Sequence, residues 1–236
     1  MKKKLIIIGS IVLGVIILGL ILFFLLKDNT NIGVKPSQFE LIDVEKISMC
    51  KEGTQCPISN PSVFGNISFD TDITELKDAI ADMNDETQKY KDKVLKSNFN
   101  SSMCEGHDEN YKYSLSVSSM YDYYSNDKYI SVSIIRNTFN ICSSVTAGVE
   151  PKIAIYDKVN NKMLKQKEFK QSLGVTDEMV YKIINDNIDM LNEVENNNIN
   201  KKKEYDYVLF YNTLGELTIG YYLDAYQNYL VAKMIV

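Results

Sequence analysis

Tryptophan is absent from this chain of 236 residues, histidine occurs once, and proline and cysteine occur four times each. A single histidine, His107, cannot supply an H-x₃₋₅-H zinc pair, and it is the only side chain whose unperturbed titration falls near neutrality. It lies in "MCEGHDENY" beside Glu105, Asp108 and Glu109, with no G-x-S-x-G or H-E-x-x-H frame around it. A solvated loop histidine is the simpler reading. The two closest cysteines, in "CKEGTQC", are spaced C-x₅-C, too wide for a structural zinc knuckle, so no metal and no cofactor is expected. "DTDITELKDA" has aspartates at Asp70 and Asp72 but lacks the turn glycine and closing glutamate of a calcium loop. A basic excess is missing too, since 26 Lys+Arg face 31 Asp+Glu. That excludes a nucleic-acid-binding surface of the usual kind.

What is present begins at the N-terminus. Residues 5–26 carry no charge and no proline, with Ser10 their one polar side chain. At about 1.5 Å per residue this run spans a hydrocarbon core of about 30 Å, and it lacks the small-residue cleavage pattern of a secretory signal. Lys2, Lys3 and Lys4 precede it, which places the N-terminus on the cytoplasmic side. The sequence therefore predicts a cytoplasmic tail at 1–4 and a single-pass transmembrane anchor in the lipid bilayer at 5–26. A stalk at 27–37 and an extracytoplasmic domain at 38–236 follow, the latter as one unit or as two, 38–110 and 111–236. The expected localisation is the cell membrane with the C-terminal domain outside. Residues 1–27 hold four lysines and no acid, so the remainder carries 22 basic against 31 acidic side chains, a net −9.

Cys50, Cys56, Cys104 and Cys142 all follow the apolar run. An even number on an oxidising face favours disulfides. Cys50–Cys56 with Cys104–Cys142 suits the turn at Gly53, and crossed pairings stay open.

The rest predicts an α+β fold, an antiparallel sheet with two amphipathic helices packed on one face, preceded by the transmembrane helix. Strands are expected at 39–49 and 62–69. Leu76, Ile80, Met83, Tyr90 and Val94 fall at helical spacing from Asp72 to about Leu95. A hairpin follows, with strands at 111–125 and 128–141 turning at Asn126-Asp127, and then a second hairpin at 150–169 turning at Asn160-Asn161. After Gly174, Thr176 or Asp177 caps a helix with the stripe Val180, Ile183, Ile184, Ile188, Leu191 and Val194, and three strands close the chain.

Tyrosine occurs 16 times, seven of them between Tyr205 and Tyr229 and six between Tyr111 and Tyr129. Most are explained by the strand preference of tyrosine. Tyr121, Tyr123 and Tyr124 in "YDYYS" crowd beside a turn and are the candidate binding residues, since exposed rings stack on sugars or anchor a protein partner.

"IAIYDKVNNKMLKQKEFKQSLGVTDEMVYKIINDNI" followed by "YVLFYNTLGELTIGYYLDAYQNYLVAKMIV" resembles the extracytoplasmic domain of RsiV-type lysozyme-sensing anti-sigma factors and PdaC-type peptidoglycan deacetylases. The resemblance implies an α+β fold and a ligand-sensing role in the cell envelope. It brings no residue-level site with it, and four residues before the anchor are not expected to supply a sigma-binding domain. The expected function is a non-catalytic, membrane-anchored binding domain of the bacterial cell envelope, its partner an envelope protein or a cell-wall glycan. The alternatives are a peptidoglycan hydrolase using Glu105, Asp108 and Glu109, and a structural accessory subunit of a membrane complex.

Overall fold

The computed structural model describes residues 39–54, 61–99, 113–140, 145–195, 198–224 and 228–234. All belong to a compact unit, Pro36–Val236. Among them nine strands form three antiparallel sheets, accompanied by three helices. Strands β1 (Phe39–Ile47) and β2 (Ser62–Phe69) make a two-stranded ribbon. Helix α1 (Thr74–Phe99) follows. A four-stranded sheet then runs in the order β3 (Leu115–Ser125), β4 (Tyr129–Asn140), β5 (Val145–Asp157) and β6 (Lys162–Leu164). Helices α2 (Gln166–Ser172) and α3 (Asp177–Glu195) precede the last sheet, β7 (Tyr207–Tyr211), β8 (Leu217–Leu223) and β9 (Asn228–Lys233).

Local chemistry explains the turns. The Asn126 carboxamide oxygen accepts the Lys128 and Tyr129 amides at 2.9 and 2.7 Å, fixing the β3–β4 hairpin. Between β5 and β6 the Asp157 carboxylate takes the amides of Val159 and Asn160, while Asn161 supplies the positive φ of 50°. Helix α2 stops at Gly174, whose φ of 66° suits a left-handed C-terminal cap. Thr176 then caps α3 by accepting the Met179 amide at 3.3 Å.

Strand β4 divides the interior. Its Ile130, Val132 and Ile134 pack with Leu76, Ile80 and Met83 of α1, whereas Tyr129 and Ile135 join Phe169 of α2, Val180, Ile184 and Ile188 of α3, and the β7–β9 sheet. The period-2 alternation of a strand sends neighbours to opposite faces. Two cores therefore result.

The expected single sheet with two helices on one face is corrected accordingly. The strands separate into three sheets, α1 and α3 fill opposite cores, and a third helix, α2, occupies what reads as hairpin sequence. Only Phe169 of α2 is buried, so seven residues carry no legible stripe. The membrane expectation is corrected as well: among the described residues no helix is long and apolar enough to cross a membrane, and residues 5–26 lie outside them. The longest helix, α1, is charged over its exposed faces. The single-pass anchor and the cell-membrane localisation therefore have no helix to carry them among the described residues.

Separated sheets leave edges, and side chains close them. The Tyr121 hydroxyl contacts the amide and carbonyl of Gly65 on β2, both at 3.3 Å, and Ser62 Oγ accepts the Val117 amide at 2.9 Å. Ser131 Oγ on β4 bonds the amide and carbonyl of Tyr211 on β7 at 3.1 and 3.3 Å. Asn84 of α1 pairs with both backbone groups of Ile67, and Gln166 of α2 with both of Leu209. Each hydroxyl or carboxamide stands in for a missing strand, satisfying buried donors and acceptors.

The chain's only arginine, Arg136, lies on the α1 side of β4 and is 2% exposed. It donates to Thr87 Oγ1 and sits 5.7 Å from the Tyr90 ring centroid, while Glu86 nearby is itself held by Lys152 at 3.0 Å. Burial lowers the guanidinium pKa, opposed by the neighbouring Tyr121, Tyr90 and Glu86, and the group stays charged because its unperturbed value is so high. The expected cost of Arg136→Ala is about 2–4 kcal/mol, because it empties a packed site and removes the donor to Thr87 and the cation over the Tyr90 ring. Arg136→Met retains the stem and removes the buried charge, so its expected cost is about 1 kcal/mol or less. Urea unfolding of both variants checks this ordering, and equal losses would contradict it.

Candidate functional site

The structure splits the "YDYYS" tyrosines. Tyr121 and Tyr123 face the α1 core, Tyr123 stacking between Phe39 at 5.1 Å and Phe69 at 5.2 Å. Burial pushes the Tyr123 phenol up to about 12, against the effect of Ser125. Tyr124 points to the other face, 5.2 Å from the Tyr211 ring and against Gly215, where an added Cβ would lie 2.4 Å from Tyr124 Cε2. Asp122, between them, accepts the Thr213 amide and hydroxyl at 3.2 and 2.7 Å and so anchors the β7–β8 turn. All three rings are half-buried, and no one face holds them together.

Of the cysteines only Cys50 lies among the described residues. It is buried and disulfide-bonded, to a partner outside them. No disulfide has both halves in the described residues, and Cys56, Cys104 and Cys142, with the pairing expected of them, lie outside those residues. Glu105, His107, Asp108 and Glu109 are also outside the described residues.

The other tyrosine cluster does converge. Tyr181 of α3, Tyr205 on the approach to β7 and Tyr222 of β8 line a cavity of about 250 Å³ with Glu204, Asp206, Asp224 and Lys202. Tyr205 is 6% exposed, and its hydroxyl donates to Asn185 Oδ1 at 2.6 Å while accepting the Lys202 amide at 2.8 Å. One phenol thus fixes the loop to the helix. Further back, Asn192 of α3 pairs with the amide and carbonyl of Ile199 at 2.7 and 3.0 Å, and Lys201 binds Asp189 at 2.6 Å. The "KKKEYD" segment is thereby held along α3, and Glu204, Tyr205 and Asp206 all reach the cavity lining.

The rings support one another. Tyr181 meets Tyr205 at 5.8 Å and Tyr207 at 6.1 Å edge to face, and Tyr222 meets Tyr229 at 5.2 Å in a tilted pair. Tyr207 is fixed by a three-way contact. Its hydroxyl donates to Asp177, Lys170 binds Asp177 at 2.5 Å, and Lys170 donates to the Tyr207 oxygen at 3.0 Å. The Lys170 ammonium, held by Asp177 first and Tyr207 second, is raised in pKa, and the same bonds lower Asp177. Burial, reinforced by Asp177, pushes the Tyr207 phenol up to about 12. At the cavity mouth Lys202 pairs with Asp224, which raises the lysine's pKa.

A second cleft, of about 350 Å³, is lined by Leu173, Tyr211, Gly215, Leu217 and Met234, with the Glu216–Lys233 ion pair at its rim. Tyr124 stands behind its Tyr211 wall. The cleft is mainly apolar and its rim charges neutralise each other. Among the described residues no group of three His, Cys, Asp or Glu side chains could hold a metal.

Sequence reasoning noticed the Tyr205–Tyr229 cluster but favoured "YDYYS". The discriminating signal was the interleaving of carboxylates with rings, in "KEYDY" and "YYLD", which strand propensity alone does not explain. No protein-family model and no curated protein matches the chain.

The Lys170–Asp177–Tyr207 contact predicts a pH dependence. A depressed Asp177 pKa contributes stability present above its unfolded value of about 4 and lost as pH falls through the folded value. The raised Lys170 and Tyr207 values contribute stability present below about 10 and lost as pH rises through their folded values. Asp177→Asn is expected to cost about 0.5–1 kcal/mol at pH 7, discounted for the half-exposed carboxylate, and to flatten the acid limb below about pH 4. Thermal unfolding from pH 2 to 7 checks it, and an unchanged acid limb would contradict it.

Proposed function

We propose that the folded unit is a non-catalytic binding module for a glycan, the cell wall being the source expected from the sequence. The single observation behind this reading is the convergence of three tyrosine rings and three carboxylates on one cavity. A pyranose ring presents C–H faces that pack on aromatic rings and hydroxyls that donate to carboxylates, so the two residue types together suit a sugar. The cavity is smaller than the roughly 300–1,000 Å³ of drug-sized sites, which suits a single sugar ring with the remaining chain outside. Its rings are pre-positioned by Asn185, Tyr207 and Tyr229, which lowers the ordering cost of binding. The resemblance of the C-terminal half to a ligand-sensing extracytoplasmic domain supports the same reading, as a likeness in the order of elements.

Binding of the full chain to purified cell-wall sacculi and to soluble oligosaccharides tests the reading. Tyr222→Ala and Tyr181→Ala are each expected to weaken binding about 3–10-fold, the equivalent of an aromatic contact of about 0.5–1.5 kcal/mol. Tyr124→Ala, packed on Tyr211 and Gly215 and outside the cavity lining, is expected to leave affinity unchanged. Undiminished binding by the first two variants, with circular dichroism unaltered, would overturn the assignment of the cavity.

A further inference from the structure

The charge balance of the tyrosine cavity carries more than a generic sugar site requires. Three carboxylates, Glu204, Asp206 and Asp224, face one ammonium, Lys202. That ammonium is committed to Asp224 and lies within electrostatic range of Asp206. The nearby Lys201 is bound to Asp189 instead, and no ion pair to Glu204 or Asp206 forms among the described residues. Glu204 and Asp206, both exposed, therefore lack a direct ion-pair partner beside the half-buried rings of Tyr181 and Tyr222, with the exposed Lys203 next to Glu204 in the chain. A neutral sugar would gain hydrogen bonds there but would leave those charges uncompensated, whereas a cation is drawn both to the carboxylates and to the ring quadrupoles.

Resting on the glycan reading above, we infer that the ligand is a glycan bearing a free amine, an amino sugar whose ammonium sits between Glu204 and Asp206 with its ring against Tyr222 or Tyr181. The geometry favours this over a flexible cationic peptide. The rings are braced in place around a cavity of about 250 Å³, which matches a rigid ring better than a long side chain with several free torsions. An N-acetylated counterpart loses the charge and gains bulk at the same atom, so the site discriminates by charge at one position of the sugar.

Calorimetric titration of the full chain with a glucosamine oligomer and with the N-acetylglucosamine oligomer of equal length, at about pH 6 where amines are protonated and carboxylates ionised, tests this. The glucosamine oligomer is expected to bind about tenfold or more tightly, with affinity falling as salt rises from 50 to about 500 mM. In the Glu204→Gln/Asp206→Asn double variant the preference is expected to vanish while residual binding of both oligomers persists. That residual binding shows that the site still folds. Equal affinity of the two oligomers for the unaltered chain, or a preference unaffected by the double variant, would overturn the amine assignment and leave the glycan reading standing. Binding of a lysine-rich peptide with no binding of either oligomer would overturn both.

Discussion

Buried backbone at the sheet edges has to find hydrogen bonds, and in this protein side chains supply them where strands run out. Tyr121 with Gly65, Ser62 with Val117, Ser131 with Tyr211, Asn84 with Ile67 and Gln166 with Leu209 bridge gaps that a continuous ladder would have closed. An orphaned amide or carbonyl there costs about 1–3 kcal/mol, so these few hydroxyls and carboxamides decide where each sheet is placed. Ser131 and Gln166 hold β7 at Tyr211 and Leu209, and Asp122 fixes the turn that follows it. The position of β7 in turn sets Tyr205 and Tyr207, and with them the cavity.

The site is a consequence of that placement. Helix α3 reaches the loop before β7 through Asn185 and Asn192, while α2 reaches β7 through Lys170 and Asp177 carries the link into α3. Tyrosine suits such a position because the ring supplies apolar area at low entropic cost and the hydroxyl can bond at the cavity rim or in its wall. Glu204 and Asp206 lie exposed beside those rings without an ion-pair partner, and a cationic ligand would supply one, which links the local charge balance to selectivity rather than to fold stability.

Much of the local structure was legible in the sequence. Of the α1 stripe predicted from Leu76, Ile80, Met83, Tyr90 and Val94, four positions are buried and Tyr90 is half-buried, and Val180, Ile184 and Ile188 of α3 are fully enclosed. Val194, assigned to the same stripe, is 77% exposed, because the helix outruns the core it packs on. What could not be read were the non-local choices. Nothing in the alternation of β4 says which of its faces meets α1, and Phe169 alone gave too little pattern to reveal α2. Period-2 geometry, applied to "YDYYS", would have placed Tyr124 opposite Tyr121 and Tyr123. The tyrosine–carboxylate cavity needs three segments, α3, the loop before β7 and the end of β8, to meet, a convergence set by tertiary packing.

The central claim is that one cavity recognises an aminated sugar through tyrosine faces and two unpaired carboxylates. A crystal structure of the full chain with a bound glucosamine oligomer tests it most directly. The account predicts a sugar ring packed on Tyr222 or Tyr181, with its ammonium within hydrogen-bond distance, about 2.7–3.2 Å, of Glu204 or Asp206. An oligomer seated in the cleft beside Tyr211 and Met234, or one whose amine faces solvent away from both carboxylates, would contradict it.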